Sequence, residues 1–213
     1  GFKDYGSSVK LYFMTNLYVF LWSCWFLFVL LTCFYHKHVP AAFIYHLLIV
    51  IFLSPYYIPV NIWEVNLAVL YILGTAMYYC GKLPMKSLLY VVFCCFIISF
   101  AKASYILYGL LEPLWYMWAP EWIGTILLVY LSVMLHKQHM QRMLLFVLGI
   151  VISDVLLTYA YARSWLAFQP FSLELLDQLS VGVLFLSFLY SMEQLKQYKW
   201  TQYKTTRRKR FNA

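Results

Sequence analysis

Charge is what this chain has least of. Aspartate, glutamate, lysine and arginine make up 11% of its 213 residues, against about 25% in a typical soluble domain. With 64% hydrophobic residues and a mean hydropathy of +0.72, an ordinary soluble globule is excluded and a polytopic membrane protein is expected. Catalytic signatures are also missing. There is no HExxH, GxSxG, P-loop or DxD-like cluster, and no pair of carboxylates shares an apolar run. The five cysteines, Cys24, Cys33, Cys80, Cys94 and Cys95, contain no CxxC and show no secreted-type spacing. They imply neither a disulfide framework nor a zinc site, and are read as small packing residues. No metal and no cofactor is expected, and the balance leans away from an enzyme.

What is present is a series of apolar runs separated by short polar turns. The clearest is residues 87–111, which hold no proline and a single charge, Lys102. A helix needs about 20 apolar residues to cross the hydrocarbon core, so this run spans. The same reasoning places spans at about 12–35, 41–60, 62–80, 87–111, 122–135, 143–162 and 176–192. Pro55 and Pro59 break the second near its end, so its PYYIP segment suits the interface better than a helix. The stretches 112–122 and 163–175 combine aromatics, prolines and acids, a composition that suits the headgroup region. The expected architecture is an all-α bundle of seven spans over residues 1–192, followed by a basic tail at 193–213.

Orientation follows from the cations. With seven spans, the first, third and fifth turns share a side with the tail. That side holds Lys37, Lys82, Lys86, Lys137, Arg142 and the tail cations, whereas the opposite side holds only Lys3, Lys10 and Arg163. The positive-inside rule puts the C-terminus in the cytoplasm and the N-terminus outside. Glu64, Glu112, Glu121, Glu174 and Asp177 all fall on the outer side.

Lys102 needs a partner. A lone cation at the centre of a spanning helix costs roughly 3 kcal/mol on insertion scales. Asp154 is the only acid well inside another apolar run. Cys95, Ser99, Lys102 and Gly109 share one helix stripe, and Asp154, Thr158 and Tyr161 share another. Measured from the basic residues that precede each run, the two charges differ in depth by about 6 Å at ~1.5 Å per residue, within reach of a lysine stem. Three readings stay open. The pair is a structural clasp, it is a binding site for a proton, ion or substrate, or Lys102 snorkels alone to the interface. Ser99, Thr158 and Tyr161 accompany Lys102 and Asp154 as candidate site residues.

His36, His38, His136 and His139 map to inner turns and serve better as weakly basic anchors than as metal ligands, since no acid accompanies them. His46, within the second span, suits a hydrogen-bonded packing role. The tail interleaves Lys196, Lys199, Lys204, Arg207, Arg208, Lys209 and Arg210 with aromatic residues. Near a membrane each cation gains about 1 kcal/mol from anionic headgroups. Lipid headgroups are therefore the expected partner, with a membrane-protein partner beside them. Nucleic acid is not expected, because so short a segment offers no folded reading surface.

The aromatic opening run LYVFLWSCWFLFVLLTCFYHK, the succession of short spans and the basic end together resemble the YphA-like membrane proteins of spore-forming bacilli. That resemblance implies a bacterial cell membrane, a multi-pass topology and an unassigned function, and it brings no catalytic residues. The function expected from the residues is a non-enzymatic membrane protein that binds lipid or a protein partner. The alternative is a small ion- or proton-coupled transporter built on Lys102 and Asp154.

Overall fold

The computed structural model describes residues 19–29, 32, 41–60, 63–112, 121–162 and 171–211, with side chains of the last helix described as far as Gln194. Among these residues are seven helices and one two-stranded hairpin. The order is α1 (Val19–Val29), α2 (Ala41–Leu53), β1 (Tyr57–Val60), β2 (Trp63–Asn66), α3 (Leu67–Gly81), α4 (Met85–Leu111), α5 (Glu121–Leu135), α6 (His139–Ala162) and α7 (Leu173–Phe211). Each helix falls on one of the seven apolar runs. Three contain segments long and apolar enough to cross a membrane, namely Met85–Gly109, His139–Tyr161 and Leu173–Gln194. The 15 residues of α3 make about 22 Å of helix, short of a ~30 Å hydrocarbon core.

The second span breaks where its prolines are expected to break it, since α2 stops at Leu53, but the third helix starts at Leu67 and not at about residue 62, with an antiparallel hairpin between them. Pro55 supplies no N–H to continue α2, and Pro59 is tolerated because a two-stranded ribbon is all edge. Asn66 closes the hairpin and opens α3. Its side-chain oxygen accepts from Ala68 N at 2.9 Å, and its amide donates to Ser54 O at 2.8 Å. One buried residue thereby caps α3 and ties it to the end of α2.

At the other end, α7 does not stop where the apolar run does. It continues through 39 residues, about 58 Å of helix. Residues 193–211 contain no glycine or proline to end it. The seven tail cations lie on this extension, and their side chains lie outside those described. Residues 113–120 and 163–170, the bulk of the two expected interfacial stretches, also lie outside the described residues, as do His36 and His38.

The frame of the molecule is the pair α4 and α6. Contacts climb both helices in the same direction. Gln141 Nε2 donates to Ser87 Oγ at 3.3 Å, Cys95 Sγ reaches Leu145 O at 3.8 Å, and Ser99 Oγ lies 2.8 Å from Gly149 O. The two helices are therefore parallel. α5 runs back antiparallel to α4, with Tyr90 at the start of α4 donating to Leu135 O at the end of α5. Gly149 permits the close approach, since a Cβ there would stand 2.6 Å from Ile98 Cγ2. α7 packs antiparallel on α6, where a Cβ on Gly182 would run into the Phe146 ring. Phe146, Ile98, Leu145, Ile150 and Leu176 fill the interior with no exposed surface.

Candidate functional site

Lys102 and Asp154 form the top rung of the α4–α6 ladder. Lys102 Nζ lies 2.9 Å from Asp154 Oδ1, and each residue keeps 4% of its surface exposed. The parallel packing explains why relative depth is readable from sequence, because both helices rise from the same end. Ser99 sits one turn below and bonds to the backbone, its single proton shared between Cys95 O and Gly149 O, each 2.8 Å away. Thr158 donates to the backbone oxygen of Asp154 at 2.7 Å, not to its carboxylate. Tyr161 is half-buried two turns past Asp154 on the same helix.

Two contributors lie outside the sequence reading. Phe171, just ahead of α7, has φ 55, an unusual left-handed backbone for a bulky residue. Its N–H points to Asp154 Oδ2 at 3.4 Å, and its carbonyl accepts from Asn66 N at 3.4 Å. Asp154 thus links α4 to the turn before α7, and that turn links to the start of α3. Asn66 carries a usable signal, a helix-capping type ahead of an apolar run. No sequence signal marks Phe171.

A second ion pair sits at the opposite end of α6. Arg142 Nη1 lies 3.0 Å from Glu193 Oε1 on α7, and Arg142 Nε donates to His136 O at 2.6 Å. The ring of His139 stacks on Tyr190 with centroids 4.1 Å apart. His136 Nδ1 accepts from Gln138 N, and its ring lies against Tyr90. Burial, followed by the nearby Arg142 charge, pushes the His136 pKa below the usual histidine value. Among the described residues, no three histidine, cysteine or acidic side chains gather closely enough to hold a metal.

Beside the α4–α6 frame lies a cavity of about 180 Å³, lined by α1, α2, α3, α6 and α7. Leu144, Val147, Leu176, Leu179 and Val183 make an aliphatic wall on α6 and α7. The α2–α3 wall differs. His46 there lies among Tyr71, Thr75 and Tyr79, which recur every four residues along α3. His46 Nδ1 is hydrogen-bonded to the Tyr71 hydroxyl, and its ring centroid is 5.9 Å from Tyr71 and 6.4 Å from Tyr79. His46 is thus a hydrogen-bonded packing residue that also faces an open volume. The cavity has no sequence signature, because its lining is drawn from five separate helices.

The chain is 27% identical over 179 residues to the uncharacterized protein YphA of Bacillus subtilis strain 168, covering 84% of this chain and 89% of the relative. No solved structure matches. The family model for YphA-like integral membrane proteins matches residues 16–212, so a buried charge pair between long apolar helices stands in a membrane setting, and the chain belongs to that family.

Proposed function

We propose that this protein is a multi-pass protein of the cell membrane that works by binding a lipid-soluble molecule and performs no chemistry on it. The observation that carries the reading is the cavity between α1, α2, α3, α6 and α7. Protein interiors are close-packed, with few voids larger than a water molecule, and a dry apolar cavity of about 150 Å³ suffices to hold benzene. A partly open pocket of about 180 Å³ in a protein surrounded by lipid is suited to an apolar occupant. The basic extension of α7 complements this by holding the cytoplasmic end against anionic headgroups.

The transport alternative asks water to reach Lys102 and Asp154. Both are closed in by α4, α6 and the Phe171 turn, which favours the clasp over a site that loads and unloads. Extraction and mass spectrometry of the detergent-purified protein test the binding reading. A bound apolar molecule near one per chain is expected, and Val147→Trp, which fills the cavity, is expected to remove it. The same molecules retained at the same ratio in the filled variant would overturn the reading.

A further inference from the structure

The two walls of the cavity are chemically unequal, and that inequality narrows the occupant. A site meant only for a hydrocarbon chain is best lined by aliphatic groups throughout, since any polar group facing hydrocarbon loses its hydrogen bonds to water. The α6–α7 side comes close to that description, with Ser180 its one hydroxyl, whereas the α2–α3 side carries His46, Tyr71, Thr75 and Tyr79. Two of its hydroxyls are already satisfied by their own helices or neighbours. Thr75 Oγ1 donates to Ile72 O at 2.8 Å, and the Tyr71 hydroxyl is engaged with His46 Nδ1. On the facing helix, Ser180 Oγ donates to Asp177 O at 2.9 Å.

The Nε2 atom of His46 is different. Among the described residues it has no hydrogen-bond partner. Its character is fixed by its neighbour, because one ring nitrogen of a neutral imidazole donates and the other accepts. If the Tyr71 hydroxyl donates to Nδ1, Nε2 carries the proton and is a donor. If Nδ1 donates to Tyr71, Nε2 is a bare acceptor. Either way His46 offers the cavity lining one ring nitrogen of adjustable sense, with the Tyr79 hydroxyl a second polar group of the same wall. The rings of Tyr71 and Tyr79 lie against that of His46, and Phe20 adds a third aromatic ring to the lining. Aromatic rings reward a flat partner with offset or edge contacts beyond simple burial.

We infer that the cavity takes a planar ring of one or two fused cycles bearing a hydroxyl or carbonyl oxygen, the chemistry of a lipid-soluble phenol or quinone, with that oxygen on His46 Nε2. This rests on the proposed binding reading and sharpens it. The length of the lined stretch agrees. Tyr71 to Tyr79 on α3 and Met140 to Val147 on α6 each cover about 10–12 Å of helix axis, room for a ring and the start of an attached apolar tail.

Naphthalene, 1-naphthol and 1,4-naphthoquinone share one ring skeleton and differ in oxygen, so they serve as probes. Saturable binding to purified full-length protein in detergent is measured by equilibrium dialysis, with partition into empty micelles subtracted. All three are expected to bind, the two oxygenated probes about fivefold to tenfold more tightly, the worth of one hydrogen bond. His46→Leu is expected to bring all three to the affinity of naphthalene, while His46→Gln, which keeps a donor and an acceptor, retains part of the preference. Naphthalene binding by each variant reports that the cavity is still formed. Equal affinity for all three probes in the wild-type protein would overturn the assignment to His46 and leave the cavity as a binding site. Failure of all three probes, with a bound lipid still displaced by Val147→Trp, would overturn the ring class alone. Failure of the probes with no bound molecule displaced would overturn both.

Discussion

A single lysine in an apolar run is informative because its cost is large and its remedies few. Lys102 and Asp154 can be matched from the sequence because each is the lone charge of its sign in a long apolar run, and because α4 and α6 start from the same side. The carboxylate's second contact, at Phe171, is not legible there, since it depends on a left-handed backbone that the residue type disfavours. Removing one member of a buried pair leaves a bare charge and costs about 3–5 kcal/mol, whereas replacing both by apolar groups of similar size is often neutral. Lys102→Met and Asp154→Asn are each expected to lower the melting temperature in detergent sharply. Lys102→Met combined with Asp154→Leu is expected to recover much of the loss. Single variants as stable as the wild type would show that the pair holds nothing together. His136 gives a pH-linked counterpart outside the spans. Its folded pKa lies below the unfolded value of about 6.5, so the folded state binds fewer protons there. The associated stability is present above about pH 6.5 and is lost as pH falls through the lower folded value. Comparing wild type with His136→Gln between about pH 7.5 and about pH 5.5 should show a smaller acid-induced fall in melting temperature for the variant.

At the scale of elements, the helices are legible in the sequence and their junctions are not. Long apolar runs between polar turns leave no alternative to helix in a bilayer, where every backbone group must be satisfied internally. The hairpin between α2 and α3 escapes because prolines mark the end of a helix without specifying the next element. Strand pairing of Tyr57–Val60 with Trp63–Asn66 is a relation between two segments, not a property of either. The Arg142–Glu193 pair is hidden for a similar reason. In sequence its members belong to a turn and to a tail, 51 residues apart, and only the unbroken run of α7 brings them level. Helix contacts themselves rest on glycine. At Gly182 any side chain meets the Phe146 ring, which is fully buried and has nowhere to go. Gly182→Leu is expected to separate α6 from α7 and cost at least the roughly 1–3 kcal/mol typical of overpacking. Gly74→Ala is the control, because a Cβ there meets nothing within 4 Å. Equal melting temperatures for the two variants would mean that the α6–α7 contact is not a stability determinant.

For the whole molecule, the parallel and antiparallel relations of the described helices define two ends, and the cations are unequally shared between them. Lys82 and Lys137 are exposed at one end and Glu112 at the other, with α4 running from the first end to the second and α5 returning. The Arg142–Glu193 pair belongs to the first end, and beyond it α7 carries the seven tail cations. A cytoplasmic first end would satisfy the positive-inside rule at both described turns there, those of Lys82 and Lys137. The four described cysteines, Cys24, Cys80, Cys94 and Cys95, are buried, out of reach of a water-borne thiol reagent. New cysteines can therefore be read against a quiet background once Cys33 is replaced by serine. Cysteine at Glu112 is expected to react with a membrane-impermeant maleimide in intact cells. Cysteine at Lys82 or Lys137 is expected to react only after the membrane is opened. The reverse pattern would invert the molecule, placing the basic extension of α7 outside the cell and removing the argument that it meets cytoplasmic anionic lipid.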